Sequence, residues 1–300
     1  MKEFLVAPLS DSSISFLLFT RKDNLAFLKA GLKKWIDFIS TFQNKVEIVV
    51  LVFGSGLIES QNSELKDIIE KSSSKIPVEA FKLLETSLEY EGDALKFAIE
   101  QTNHDVLVVA PCQAKYCQAT ILKIMLGNIS NAHLAGAVRE LDNYPFALKA
   151  FSLCKGVLGR FFLCLPIENI SGPNSILSRF QNWVFWFVFG VRYVDPFFPV
   201  RVYRGNFLRD CKLDSKGNFI HVEILAKANF LGLIFYPEQS WPESSKVSIP
   251  DRGDNCFFSD FLNLLSNPKF IKSGTADEKL TANNNDLPGS DGAAGKFIVE

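Results

Sequence analysis

Short apolar runs alternate with amphipathic stretches through the first half of the chain. Ser15 to Thr20 (SFLLFT) is almost unbroken in its apolar character, which suits a strand covered on both faces. After Asp23, a residue type that caps helices, Leu25, Leu28, Leu32, Ile36 and Ile39 fall on one helical stripe. Val46 to Phe53 (VEIVVLVF) is apolar and β-branched and stops at Gly54-Ser55-Gly56; Ser63 to Lys71 then resumes a helical pattern with Leu65, Ile68 and Ile69 inward. Ile76 to Leu83 predicts a third strand, Gly92 to Gln101 another helix, and Val106 to Ala110 (VLVVA) a fourth strand. Doubly buried strands alternating with helices imply an α/β fold with a largely parallel sheet covered on both sides. Such sheets bind ligands beyond the carboxyl ends of their strands. Chemistry is therefore expected in the loops after Thr20, Phe53, Leu83 and Ala110.

The second half is less regular. His133 to Arg139 predicts a strand, Pro173 to Gly190 a long apolar helix, Val200 to Arg204 a short extended segment, Phe219 to Leu231 a helix ended by Gly232, and Leu233 to Tyr236 a last strand. Residues 1–14 read as a leader and 15–265 as one domain, with 151–171 looking inserted. Residues 266–300 read as a tail, and from Lys272 onward Asn, Asp, Gly and Ala dominate, a composition that predicts disorder.

Composition narrows the function classes. A net charge of -1 with interspersed signs offers no basic stripe, so nucleic acid is not an expected partner. Six Cys without a Cys-x-x-Cys pair, and no secretory signal pattern, point to reduced thiols in the cytoplasm. Trp183 to Val191 (WVFWFVFGV) is about half the length of a spanning helix; it reads as a core helix or as a peripheral contact with a membrane surface. Cys112 and Cys117 stand without a neighbouring His, and His104, His133 and His221 are dispersed, so neither a zinc site nor a hydrolase triad is spelled out. Gly54-Ser55-Gly56 matches neither a nucleophile elbow nor a dinucleotide fingerprint.

Taken in order, several segments carry a resemblance. Leu18-Phe-Thr-Arg-Lys-Asp-Asn-Leu25 follows the first strand; Val52-Phe53-Gly54-Ser55 ends the second; Glu91-Gly92-Asp-Ala-Leu95 precedes the fourth, which ends at Ala110-Pro-Cys112. Gly136-Ala-Val-Arg139, Leu177-Ser-Arg179, Asp195-Pro-Phe-Phe-Pro-Val-Arg201-Val-Tyr-Arg204, His221-Val-Glu223 with Lys227 and Gly232, and Trp241-Pro-Glu-Ser-Ser-Lys246 follow. From Ser15 to Ile249 this order resembles the family 2 glycosyltransferases, in particular the polyprenol-phosphate and dolichol-phosphate sugar synthase branch. The resemblance implies a GT-A-like three-layer α/β fold with a mixed, mainly parallel sheet, and transfer of a sugar from a nucleotide sugar to an acceptor such as a polyprenyl phosphate.

It also departs from the family's pattern. Where the family has Asp-Asp-Gly-Ser, only Gly54-Ser55 survives, and the Asp-x-Asp that holds Mg2+ or Mn2+ falls on Ala110 and Cys112. Alanine offers no ligand atom and a thiol suits a hard cation poorly. No cofactor is therefore expected, unless Asp105 or another loop rebuilds a Mg2+ or Mn2+ site. The resemblance assigns Gly54, Ser55, Ala110, Cys112 and Lys115 to the donor side, and Arg139, Arg179, Arg201, Arg204 and Glu223 to the acceptor side, with Asp195 as the candidate base. Asp195 with Arg201 and Arg204 reads equally as a phosphate fork or a structural salt bridge, and Glu223 as a site acid or as the i,i+4 partner of Lys227. Two functions stay open: a catalytically impaired transferase relative that binds a sugar, a lipid phosphate or an active glycosyltransferase, and a metal-independent transferase using Lys115 or Arg21.

Overall fold

The computed structural model describes residues 12–22, 27–54, 80–140, 184–191, 193, 195–242 and 256–266. The expected cap at Asp23, the helix at Ser63 to Lys71, the insertion at 151–171 and the tail from Lys272 lie outside the described residues.

Three apolar runs form adjacent parallel strands, β1 (Ile14–Arg21), β2 (Val46–Phe53) and β4 (Val106–Pro111), with β3 (Phe81–Thr86) flanking β2. Helix α1 (Leu28–Ile39) joins β1 to β2, and α2 (Glu91–Glu100) joins β3 to β4. A 3-10 turn (Ala114–Tyr116), α3 (Ala119–Asn128) and β5 (Leu134–Glu140) follow. Beyond these come a short helix α4 (184–189), β6 (Arg201–Arg204), α5 (Gly205–Asp210), α6 (Ile220–Phe230), β7 (Phe235–Pro242) and α7 (Phe257–Ser266). The described strands make one sheet in the order β3-β2-β1-β4-β6-β5-β7, with β6 antiparallel to both of its neighbours. This is the mixed, mainly parallel sheet that the resemblance implies.

Alternate residues of each strand feed two cores. Phe16, Leu18, Ile48, Val50, Val108 and Ala110 face α1 and α3 on one side. Leu17, Phe19, Val49, Leu51, Leu107 and Val109 face α2, α4, α5, α6 and α7 on the other. The many Phe account for much of this packing: Trp35 and Phe38 of α1 with Phe42 close around Phe16, while Phe185, Phe189, Phe257 and Phe261 surround Phe219. Burying each such ring stabilises the fold by about 1.5–3 kcal/mol.

Two strands differ from expectation. β3 runs on to Thr86, beyond the expected end at Leu83, and β7 runs past the expected end at Tyr236 to Pro242 and starts at Phe235, beyond the expected Leu233. The later start of β7 has a local cause: Gly232 is at φ 68°, its N–H donates to Asn229 O and the Leu233 N–H to Ala228 O, so the helix-ending turn consumes Leu233.

Candidate functional site

The chain leaves β1 through α1 on one face and returns to β4 through α2 on the other, so the strand order turns between β1 and β4. The crevice beyond their carboxyl ends is the expected ligand position in such a sheet. β4 exits beside β1, with the Cys112 N–H donating to Phe19 O at 2.9 Å. Helix α1 presses on this exit: a Cβ on Gly31 would stand 1.8 Å from the Cys112 carbonyl oxygen. Lys34 Nζ donates to Ala114 O (3.0 Å), and Lys115 Nζ lies 4.9 Å from the centroid of the Tyr116 ring. Tyr116 packs on Phe198, which packs on Trp241, forming an aromatic wall that ties this turn to the end of β7.

Across the crevice, β2 ends at Gly54, whose N–H donates to Leu88 O at 2.9 Å. The Arg21 guanidinium at the end of β1 lies 5.9 Å from the centroid of the Phe53 ring. Ser55 lies outside the described residues.

The residues at the end of β4 do not fit a divalent cation. Ala110 and Cys112 are fully buried. Burial pushes the Cys112 thiol far above its ordinary range, with Cys117 adding to the rise, and burial likewise pushes Cys117 up to about 12. Both thiols are thus protonated at neutral pH, whereas the thiolate is the metal-binding form. Asp105 cannot substitute: it precedes β4, about 16 Å of strand away from Ala110, and its carboxylate accepts from the N–H and hydroxyl of Ser13. No group of three or more His, Cys, Asp or Glu among the described residues is gathered as a metal site.

On the other flank Arg201 starts β6 opposite Val109 and is wholly buried. Its guanidinium donates to the main-chain oxygens of His221 (3.2 Å), Asp195 (3.2 Å) and Pro196 (2.6 Å), and lies 5.9 Å from the Tyr193 ring centroid. Arg201 thus reaches Asp195 through the Asp195 carbonyl. Asp195 is buried, and its N–H donates to Glu238 Oε1 at 3.1 Å. His221 Nε2 meets Glu91 Oε1 at 2.9 Å, joining α6 to the first residue of α2.

Glu223 is occupied by the fold. It pairs with Lys227 Nζ at 2.6 Å, both side chains being 1% exposed or less, and accepts the N–H groups of Asp214 (2.9 Å) and Ser215 (2.8 Å). Asp260 of α7 accepts the next two N–H groups, from Lys216 and Gly217, each at 3.0 Å. So held, the loop turns its carbonyls onto the start of α2. The Asp93 N–H donates to Lys216 O, and a Cβ on Gly92 would lie 2.6 Å from the carbonyl oxygens of Ser215, Lys216 and Gly217. The sequence offered Gly92 and Glu223 as separate motifs; the structure makes them two ends of one contact, with Asp260 as the unanticipated third member.

Arg204 does not join Arg201. It pairs in register with Val106, toward the amino edge of the sheet, and donates to Ile129 O (3.1 Å) and Ser130 O (3.2 Å) at the end of α3. Three residues of strand separate the two guanidinium-bearing positions by about 10 Å. Arg139 pairs with Trp241 in the β5–β7 register, and Arg179 lies outside the described residues.

That amino edge carries a buried cluster unreadable in the sequence. Ser15 Oγ donates to Glu47 Oε2 (2.6 Å) and meets His104 Nδ1 (2.9 Å), His104 Nδ1 lies 3.1 Å from the same Glu47 oxygen, and Lys82 pairs with Glu47. Serine and glutamate meet the same ring nitrogen, so the imidazole cannot relay a proton between them as a hydrolase triad requires. A cleft of about 280 Å³ between α2, α5 and residues 211–213 also lies apart from the crevice.

No family model matches the sequence, and no curated protein matches it. Solved structures do match in shape. Mannosyl-3-phosphoglycerate synthase from Rubrobacter xylanophilus superposes with a TM-score of 0.52 at 10% identity, over 94% of this chain and 79% of that one. Glucosyl-3-phosphoglycerate synthase from Mycobacterium tuberculosis, in complex with uridine diphosphate, gives 0.50 at 13% identity over 82% and 76%. The fold is GT-A-like. The sequence-level resemblance expects donor chemistry at the strand ends that border the β1–β4 crevice. Of the residues that resemblance assigns, Gly54, Ala110, Cys112 and Lys115 surround the crevice, Arg201 and Asp195 flank it, and Arg204 stands apart.

Proposed function

We propose that the chain is a relative of the family 2 glycosyltransferases, of the polyprenyl-phosphate sugar synthase type, whose metal-dependent donor chemistry has been lost and whose remaining role is binding. The observation that carries this reading is the end of β4: Ala110 and protonated Cys112, both fully buried, occupy the positions where the resemblance puts the metal-binding acids. A cation at a departing nucleoside diphosphate supplies several kcal/mol of transition-state stabilisation, and the side chains at this strand end cannot hold one. The ligand in this reading is a sugar, a lipid phosphate or an active glycosyltransferase, met on the Arg139, Asp195 and Arg201 side. Trp186 and Phe187 of α4 are 48% and 72% exposed, which supports a peripheral contact with a membrane surface; no described helix is long and apolar enough to cross one.

The test is turnover. Purified protein incubated with UDP- and GDP-sugars and either Mn2+ or Mg2+ is expected to show neither hydrolysis nor transfer; turnover that a chelator abolishes refutes the reading. A second reading, metal-independent transfer, is favoured by the placement of Arg21 over Phe53 and Lys115 over Tyr116 at the crevice. It requires chelator-insensitive transfer that disappears in Arg21→Ala or Lys115→Ala.

A further inference from the structure

The residue after β1 poses a problem that the reading above leaves unsolved. Lys22 Nζ is shielded from solvent, and among the described residues neither a hydrogen bond nor an ion pair joins it to a partner. A shielded ammonium without an acceptor is unfavourable. Lysines usually escape by extending the charged end into water along an apolar stem; this one does not.

Its position suggests what would satisfy it. Lys22 follows the strand at the centre of the β2-β1-β4 group, at the point where the strand order turns. Its main-chain nitrogen and its Cβ lie 4.0 Å from where a Cβ on Gly54 would sit, so Lys22 rests against the turn that ends β2. Arg21, the preceding residue, adds a second positive charge on the same lip, over Phe53. The strand across the crevice contributes Ala110 and a protonated Cys112 and therefore no negative charge. Two consecutive cations at this edge, one of them held out of water without a counter-charge among the described residues, suit an anion of charge two or more.

We propose that Lys22 is the central cation of a metal-independent oligophosphate site at the end of β1. This rests on the reading that the metal-binding acids of the donor edge are gone, and assigns what took over their side of the crevice. Phosphate oxygens accept from an ammonium as from a point charge, and the neighbouring guanidinium supplies a planar fork. No bond is made or broken; the site binds. The oligophosphate can be free or part of a nucleoside diphosphate, and the phosphates are the shared chemistry.

Calorimetric titration of the full chain in EDTA, with inorganic pyrophosphate and separately with UDP, tests the proposal. Wild type is expected to bind pyrophosphate without metal, tenfold or more weakly in Lys22→Met and Lys22→Gln, and near wild-type strength in Lys22→Arg. Thermal unfolding of the unliganded variants gives an independent readout: removing an unsatisfied ammonium leaves Lys22→Met as stable as wild type or more so. Tighter binding of UDP than pyrophosphate assigns the site to a nucleotide; equal binding assigns it to the oligophosphate alone. Binding equal in wild type and the neutral variants overturns the role of Lys22. Binding of neither anion under any condition overturns the site while leaving the loss of donor chemistry standing. Binding that appears only with Mn2+ or Mg2+ overturns both.

Discussion

Replacing Glu223 by leucine separates a structural acid from a ligand-binding one. The substitution leaves Lys227 Nζ, wholly buried, with the Lys212 carbonyl and an Asp214 oxygen at 3.9 Å, and takes the acceptor from the Asp214 and Ser215 N–H groups. Breaking a buried pair from one side costs about 3–5 kcal/mol, because the surviving charge stays desolvated. The two N–H groups sit on a loop whose Asp214 side chain is 30% exposed, so water can replace part of what they lose. At about 2–4 °C per kcal/mol for a domain of this size, thermal unfolding should move down by about 6–20 °C. Adding Lys227→Met removes the stranded charge and should restore much of that loss, since replacing both partners by apolar groups is often nearly neutral. Differential scanning calorimetry of wild type, both single variants and the double variant closes the cycle. A Glu223→Leu cost below about 1 kcal/mol, or a double variant less stable than Glu223→Leu, refutes the reasoning and returns Glu223 to the candidate ligand residues.

Four further outcomes follow from the geometry. Burial alone would raise the pKa of Glu47, but hydrogen bonds from Lys82, Ser15 and His104 outweigh it and hold this carboxyl below its usual value; its stabilisation is therefore present above the unfolded value of about 4.3 and lost as pH falls through the lower folded one. Acid unfolding should show a gap between wild type and Glu47→Gln that is widest at neutral pH and closes below about pH 4; a gap unchanged at pH 3 contradicts it. Iodoacetamide at pH 7.5 should spare Cys112 and Cys117 in the folded protein and modify the partly exposed Cys256 faster, as read by peptide mass spectrometry, with early labelling of Cys112 as the opposing result. Gly31→Ala forces α1 away from the Cys112 carbonyl and should cost about 1–3 kcal/mol or more in urea unfolding; wild-type stability would mean that α1 does not sit so closely on the β4 exit. Introducing acids with Ala110→Asp and Cys112→Asp should lower the unfolding temperature in EDTA, because two carboxylates enter fully buried positions; a variant as stable as wild type in EDTA counts against that burial.

The strands that were legible in the sequence are those buried on both faces. β1, β2 and β4 show as unbroken apolar runs because neither face meets water. The two misjudged strands are the edges of the sheet among the described strands: every residue of β3 is only partly buried, and β7 pairs with β5 alone among them. The strand ends, and hence the crevice, followed from topology, but the roles of individual residues did not. Arg201 and Arg204 look like one fork in sequence, yet strand rise and alternation send them to different edges and faces. Lys22 could not be singled out, because no sequence tells which ammonium is left without a partner. The Ser15, Glu47 and His104 cluster joins residues 32 to 89 positions apart, beyond any local pattern.

The asymmetry between the two flanks has a physical origin. Around Arg201 and Glu223 the polar groups belong to the scaffold: Arg201 holds the 195–196 turn to α6, while Glu223 and Asp260 hold the loop that seats α2, and α2 leads directly into β4. Losing any of them strands a buried charge or N–H group, so their cost of removal is structural and independent of any reaction. At the end of β4 the balance is reversed. Ala110 and Cys112 lie in the core beneath α1 and α3, where a pair of carboxylates is favourable only while a cation compensates them. Without a cation, apolar residues at these two positions stabilise the sheet. The end of β4 and the polar groups around Arg201 and Glu223 thus answer to different constraints within one fold.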